Sequence, residues 1–232
     1  MSTSSPTALI TGAGGALASA LIAQCQAANY QLVLLDYSAE GVERLRQDYP
    51  QALVKQVDLR DEAATQQCVQ QVLEHVPYID AVFNIAGGFG MKSALELNSA
   101  AIDEQLSLNF KTAVHITQAL LPSMQQRGEG FILAVAAGPA RQGGAKMAAY
   151  ASSKAALVAY MQSLRAELAG QGLAISIVYP MGALDTPGNR ASMPGSDPAQ
   201  WIDPQALAES MLHLANRPAR GRVPELLVYP PA

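Results

Sequence analysis

Ala8-Leu9-Ile10-Thr11-Gly12-Ala13-Gly14-Gly15-Ala16-Leu17-Ala18 decides the fold of this 232-residue chain. The apolar run at its start has the length of a buried strand, glycines follow, and an apolar pattern suited to a helix resumes after them. A glycine turn between strand and helix leaves no Cβ in the path of a pyrophosphate and aims the free N–H groups of the first helical turn at it. Gly12, Gly14 and Gly15, with Ala16 and Leu17 opening the helix, are therefore expected to cradle a dinucleotide. The next strand, Gln31-Leu32-Val33-Leu34-Leu35, ends in Asp36, whose carboxylate can accept hydrogen bonds from adenosine ribose hydroxyls and repel a ribose phosphate. Tyr37 and Ser38 follow Asp36, and no basic residue stands in the glycine turn, so the expected cofactor is NAD(H) rather than NADP(H).

Outward from that turn the chain alternates strand and helix. Strands are expected near 7–11, 31–36, 52–57, 79–85, 130–136, 173–179 and 225–229, with helical segments between most of them. Such alternation predicts right-handed parallel crossovers, hence an α/β fold: one doubly wound parallel-sheet Rossmann domain over 1–232, with helices on both faces and the cofactor across the carboxyl ends of the strands. Pro, Gly and Ser gather after the sixth strand, and 182–200 reads as a substrate loop rather than an interdomain linker. Half the residues are apolar, enough to bury a substantial core.

Tyr150 and Lys154 in Ala148-Ala149-Tyr150-Ala151-Ser152-Ser153-Lys154 are spaced to share one helix face. A phenol ordinarily titrates near 10, and an ammonium beside it favours the phenolate, so Lys154 is expected to lower the pKa of Tyr150 and make it useful in proton transfer. On its own such a pair is more often a solvated surface contact; the glycine turn reverses those odds.

With Thr11-Gly12 and its glycine turn, Asp58 in Val57-Asp58-Leu59, Asn84-Ile85-Ala86-Gly87, Asn109 in Leu108-Asn109-Phe110, Tyr150/Lys154 and Gly182 to Thr186, the chain resembles the short-chain dehydrogenase/reductase family over essentially its whole length. The resemblance implies a catalytic set of Tyr150, Lys154 and Asn109, the last kinking its helix and holding a water that links the lysine to solvent. It also implies Asp58 near adenine, Asn84 near the adenosine ribose and Thr186 near the nicotinamide carboxamide, with Leu59, Ala86, Gly87 and Pro180 on the same cofactor contour. Two departures stand out. Ala16-Leu17-Ala18 replaces the usual Gly-x-Gly continuation, and the serine expected about thirteen residues before the tyrosine falls on Ala137 or Gly138. Quinonoid dihydropteridine reductases similarly lack that serine, and Leu184-Asp185-Thr186-Pro187-Gly188-Asn189-Arg190-Ala191-Ser192-Met193-Pro194, followed by Trp201, looks like their substrate-side loop. The expectation is thus hydride transfer to a conjugated ring. A carbonyl or alcohol oxidoreductase and a non-catalytic dinucleotide-binding regulator are the alternatives.

A formal charge of −4 gives no basic footprint for nucleic acid, and scattered Lys and Arg offer no polybasic membrane anchor. A small-molecule substrate fits better. With no signal core or spanning run, a cytoplasmic location is expected, and the family resemblance implies a homodimer or homotetramer. Cys25 and Cys68 read as buried thiols, and scattered His75, His115 and His213 offer no metal site. Arg141, Met147, Arg190 and Trp201 are expected to line the substrate site, to support loops or to form an oligomer interface.

Overall fold

The computed structural model describes residues 5–231. Its sheet contains β1 (Thr7–Thr11), β2 (Gln31–Asp36), β3 (Leu53–Gln56), β4 (Ala81–Asn84), β5 (Gly130–Val135), β6 (Leu173–Pro180) and β7 (Glu225–Val228). The order is β3-β2-β1-β4-β5-β6-β7 and every pairing is parallel. All five residues of β1 are buried because helices cover both faces, which is why a central parallel strand is apolar without alternation.

Successive β1 residues feed opposite cores. Ala8 and Ile10 join Leu21, Ile22, Phe83 and Leu133 on the side of α1 (Ala16–Ala27) and α9 (Pro204–Ala215). Leu9 joins Val33, Ile116, Leu120 and Met161 on the side of α3 (Glu62–His75), α5 (Thr112–Arg127) and α7 (Ala148–Glu167). The connections leave β1 and β4 toward opposite edges of the sheet, opening a crevice beyond the carboxyl ends of those strands.

Several strands are shorter than expected. At β4 the cause is Thr11, whose hydroxyl accepts the Ile85 and Ala86 N–H groups, each at 3.0 Å, so the chain peels off the ladder after Asn84. That capture also presses Ala86 onto the glycine turn. The remaining elements are α2 (Ala39–Asp48), α4 (Ser99–Leu106), α6 (Pro139–Gln142) and α8 (Pro187–Ser192). Between α4 and α5, Ser107–Lys111 forms a π-helical turn centred on Asn109, the residue expected to kink its helix. The 182–200 segment contains α8 and a 3₁₀ turn at Pro198–Gln200; paired backbone bonds between Leu184 and Ile202 neighbours close its base. Among the described residues no helix is long and apolar enough to cross a membrane.

Candidate active site

A cavity of about 720 Å³ opens at the β1/β4 crevice and is lined by Gly12, Gly14, Gly15, Asp36, Asp58, Leu59, Ala86 and Gly87 among the residues singled out from sequence. Gly12 has φ +63, and a methyl there would come within 2.9 Å of the Ala86 Cα, so only glycine fits both the backbone angle and the close approach. Gly15 is the N-cap of α1 without a capping side chain, and no acidic residue sits in the first turn, so the helix's positive end is free to meet an anion. This geometry fits the pyrophosphate of a dinucleotide. Ala16 and Leu17 lie outside the cavity lining, Leu17 being buried.

Asp36 is built into the turn more firmly than expected. Its Oδ2 accepts the Gly14 N–H at 2.8 Å and its Oδ1 accepts the Ser38 N–H at 2.9 Å. The other end of Gly14 is held too, because Arg44 from α2 donates to the Gly14 carbonyl at 2.9 Å. This cation is not beside Asp36 in sequence but in the second turn of α2, and it lines the cavity. Arg60 also lines it, but its guanidinium donates to Asp58, with Nε to Oδ1 at 2.8 Å, and that hydrogen bond holds the Asp58 carboxyl below its usual range. Asp58, expected near adenine, is therefore already engaged by a partner.

Asn84, expected near the ribose, is buried at the end of β4 and does not line the cavity; its Nδ2 and Oδ1 both lack a protein partner. Leaving such atoms unmet costs about 1–3 kcal/mol each, a cost that an ordered ligand or water at the strand end would offset. Pro180 ends β6, and its carbonyl accepts the Gly138 N–H at 2.8 Å. Thr186 caps α8, accepting the Asn189 N–H at 3.2 Å. Neither lines the adenosine-side cavity.

Tyr150 and Lys154 project from α7, where burial acts on both. It pushes the Tyr150 phenol up to about 12 and brings Lys154 down to about 8. The expected lowering of the phenol's pKa by the lysine is not seen in this arrangement: desolvation by burial acts on the phenol, and Lys154 makes no resolved contribution to it. Lys154 Nζ instead donates to the Val135 carbonyl at 2.8 Å, tying α7 to the end of β5. The same Nζ lies 3.4 Å from where a Gly87 methyl would stand, which connects it to the cavity floor.

Asn109 is 1% exposed and spends its amide on structure. Its Oδ1 accepts the Gly88 N–H at 3.0 Å, and its Nδ2 donates to the Gly88 carbonyl at 2.9 Å and to Ser153 Oγ at 3.2 Å. The segment so held carries Phe89, whose exposed ring meets the Tyr150 ring edge-on at 4.9 Å between centroids. Ala137, at the position of the missing serine, is buried and offers only a methyl.

The four residues of open assignment resolve mainly as braces. Arg141 lies over the Tyr179 ring and pairs with Glu225, and Arg190 is forked onto Asp185 at 2.6 Å. Met147 caps α7, and half-buried Trp201 follows the 3₁₀ turn. His115 Nδ1 bonds the Leu59 carbonyl at 2.9 Å. Cys25 and Cys68 are buried free thiols, and the described residues hold no His/Cys/Asp/Glu group suited to a metal ion.

The short chain dehydrogenase family matches residues 6–196. A 1-deoxy-11-beta-hydroxypentalenate dehydrogenase of Streptomyces avermitilis is 32% identical over 192 residues, covering 79% of this chain and 70% of its own. Among solved structures, a metagenomic short-chain oxidoreductase in complex with NADP superposes with a TM-score of 0.84 at 23% identity, with full coverage of both chains. A 3-ketoacyl-(acyl-carrier-protein) reductase from Brucella melitensis complexed with NADH gives 0.84 at 24% identity, covering 96% of this chain and 95% of that one. Glycine turn, parallel sheet and matched span agree: the chain belongs to the short-chain dehydrogenase family.

Proposed function

We propose that the protein is an NADH-preferring reductase in which a conjugated, pterin-like ring takes up a hydride from the nicotinamide and a proton from Tyr150. The observation that carries this reading is the Tyr150 phenol itself: half-buried, held in its proton-bearing form across the neutral range, and flanked by the exposed Phe89 ring. A group that keeps its proton until charge develops beside it suits donation during reduction. The nicotinamide, when bound, supplies the hydride.

The remaining roles follow from position. Gly12, Gly14 and Gly15 hold the diphosphate, and Asp36 retains lone pairs for the ribose hydroxyls after accepting its two backbone N–H groups. Lys154 stabilises the phenolate as it forms and is the donor for the nicotinamide ribose. Asn109 fixes the Gly88 segment that forms the acceptor side. Phe89 offers an aromatic surface on which a flat ring can stack. Ala137 removes the hydroxyl that would polarise a simple carbonyl oxygen, a donor worth a few kcal/mol to such a substrate; a ring that spreads developing charge over several nitrogens loses less by its absence. The reading includes a small-molecule substrate, a homodimer or homotetramer, and a cytoplasmic location, with neither nucleic acid nor membrane as a partner.

A second reading, oxidation of an alcohol or reduction of a simple carbonyl, draws support from the relative named as a pentalenate dehydrogenase. An NADH-oxidation screen over quinonoid dihydropterin, small ketones, quinones and acyl-thioester ketones separates the two. Preferred turnover of quinonoid dihydropterin is expected. Efficient ketone reduction with no dihydropterin reduction would put the carbonyl reading first.

A further inference from the structure

Beneath the segment that carries Phe89 lies a buried carboxamide that the roles above leave unused. Gln105, in α4, is 6% exposed. Its Oε1 accepts a hydrogen bond from Asn109 Nδ2 at 3.2 Å, one helical turn away. Its Nε2 lies close beneath the next stretch of chain: a methyl at Gly90 would come within 2.9 Å of that nitrogen, so the approach leaves room for glycine.

Residues 88–90 are thus held from one side by two amides. Asn109 takes both backbone groups of Gly88, and Gln105 orients Asn109 while meeting Gly90. The far end of the segment is tied separately, since the Lys92 N–H donates to the Lys146 carbonyl at 2.9 Å, just ahead of the helix that bears Tyr150. Phe89 is fixed between these anchors. A long amide is a costly choice for a buried helix position, because it loses side-chain freedom and must meet its polar atoms there. An apolar residue would fill the same space, so the amide's hydrogen bond is what distinguishes Gln105.

We propose that Gln105 is a positioning residue: through Asn109 and Gly90 it sets the placement of the Gly88–Gly90 segment, and with it the position of the Phe89 ring against Tyr150, beside which the acceptor binds. The part concerning the acceptor rests on the proposed function; the placement of the segment does not. The Gly88 carbonyl, Ser153 Oγ and Gln105 Oε1 share the two Nδ2 hydrogens of Asn109, so losing the Gln105 oxygen removes one of the three acceptors that fix the amide's orientation, lets Gly88 open more often and gives water more access to the phenol.

The test uses the full chain with Gln105→Met, which keeps the length but loses the amide, and Gln105→Glu, which keeps an oxygen facing Asn109. Amide hydrogen exchange followed by NMR should show Gly88 opening about five- to tenfold faster in Gln105→Met, the worth of one hydrogen bond, while Ile10 and Leu133 amides in the sheet stay unchanged. The Tyr150 phenol should titrate at lower pH, acceptor KM should rise, and NADH affinity should hold. Gln105→Glu should restore slow Gly88 exchange. Should Gln105→Met fail to fold, Gln105→Asn, too short to reach Asn109, gives the same reading. Unchanged Gly88 exchange, or acceleration shared equally by Gly88 and the sheet amides, overturns the proposal and leaves Gln105 as a filler of space. If the unmodified protein reduces no acceptor, the proposed function fails, while Gly88 exchange and the phenol titration still decide the role of Gln105.

Discussion

The adenosine end of the crevice and the reacting end are built in opposite ways. At the adenosine end, backbone does the work: Gly12, Gly14 and Gly15 sit within one turn, and Asp36 reaches them from the neighbouring parallel strand. At the reacting end side chains from distant segments converge, with Asn109 joining Gly88 to Ser153 and Lys154 reaching Val135. The first arrangement depends on backbone angles and space, the second on buried polar groups keeping partners. Substitutions should therefore fail by different routes: steric exclusion of the cofactor at one end, loss of proton transfer or loop position at the other.

The largest expected break falls at the reacting end. Tyr150→Phe keeps the ring against Phe89 but removes the proton, so turnover of the productive acceptor should fall by about 10²–10⁴. NADH titration should give an affinity close to that of the unmodified protein. A parallel loss of binding would mean that Tyr150 holds the cofactor and that the division between the two ends is misplaced.

Next comes Gly12→Val. A side chain there opposes both φ +63 and the 2.9 Å approach to Ala86, and a β-branched residue adapts poorly to that backbone region. Cofactor affinity should drop at least tenfold, a cost on the order of 1.4 kcal/mol or more, and thermal unfolding should begin at lower temperature. Isothermal titration and a melting curve check both. Retained affinity would show that the turn rearranges freely.

Lys154 sharpens the comparison through pH. Its pKa is about 8 when folded against an ordinary 10.5, so between those values the folded protein binds fewer protons than the unfolded chain. Stability from this group therefore rises with pH across that window, the charged lysine being a burden below it. Relative to Lys154→Met, the unmodified protein should gain about 1 kcal/mol between about pH 7 and pH 9, read from urea midpoints. The difference between the two proteins removes most of the contributions of Cys25 and the raised tyrosines, which act in the opposite direction at alkaline pH. A flat difference would mean that Lys154 titrates as a solvated amine.

The smallest effect should come from Asp36→Ala at the adenosine end. NADH is expected to bind more tightly than NADPH, and the substitution should narrow that preference. Arg44 already lies at Gly14, so part of the repulsion that Asp36 exerts on a ribose phosphate is offset. Parallel titrations with both cofactors measure the ratio; tighter NADPH binding by the unmodified protein would reverse the assignment.

What could be read in advance follows the same division. The glycine turn, the carboxylate ending β2 and the parallel sheet depend on short-range pattern, and they emerged from the sequence as they stand. The kink at Asn109 came from the family resemblance, and the π-helical turn is its structural form. Thr11 was visible only as part of a motif; that its hydroxyl ends β4 depends on strand pairing across more than seventy residues. Arg44 was passed over because helical periodicity, not adjacency to Asp36, brings it to the turn. Gln105 could have been noticed as a long polar residue one turn before Asn109, but its burial is a tertiary fact. The direction of the Tyr150 shift was not legible for a related reason: spacing shows that Lys154 shares the helix face and cannot show the desolvation that raises the phenol.

Proton donation by Tyr150 to a conjugated acceptor is tested most directly by rapid mixing of the NADH-loaded protein with quinonoid dihydropterin in H₂O and D₂O, alongside Tyr150→Phe. The prediction is fast NADH oxidation that slows in D₂O for the unmodified protein, and a much slower reaction in Tyr150→Phe that no longer shows the Tyr150-dependent isotope effect. Dihydropterin reduction by Tyr150→Phe at the unmodified rate, with the same response to D₂O, would contradict it.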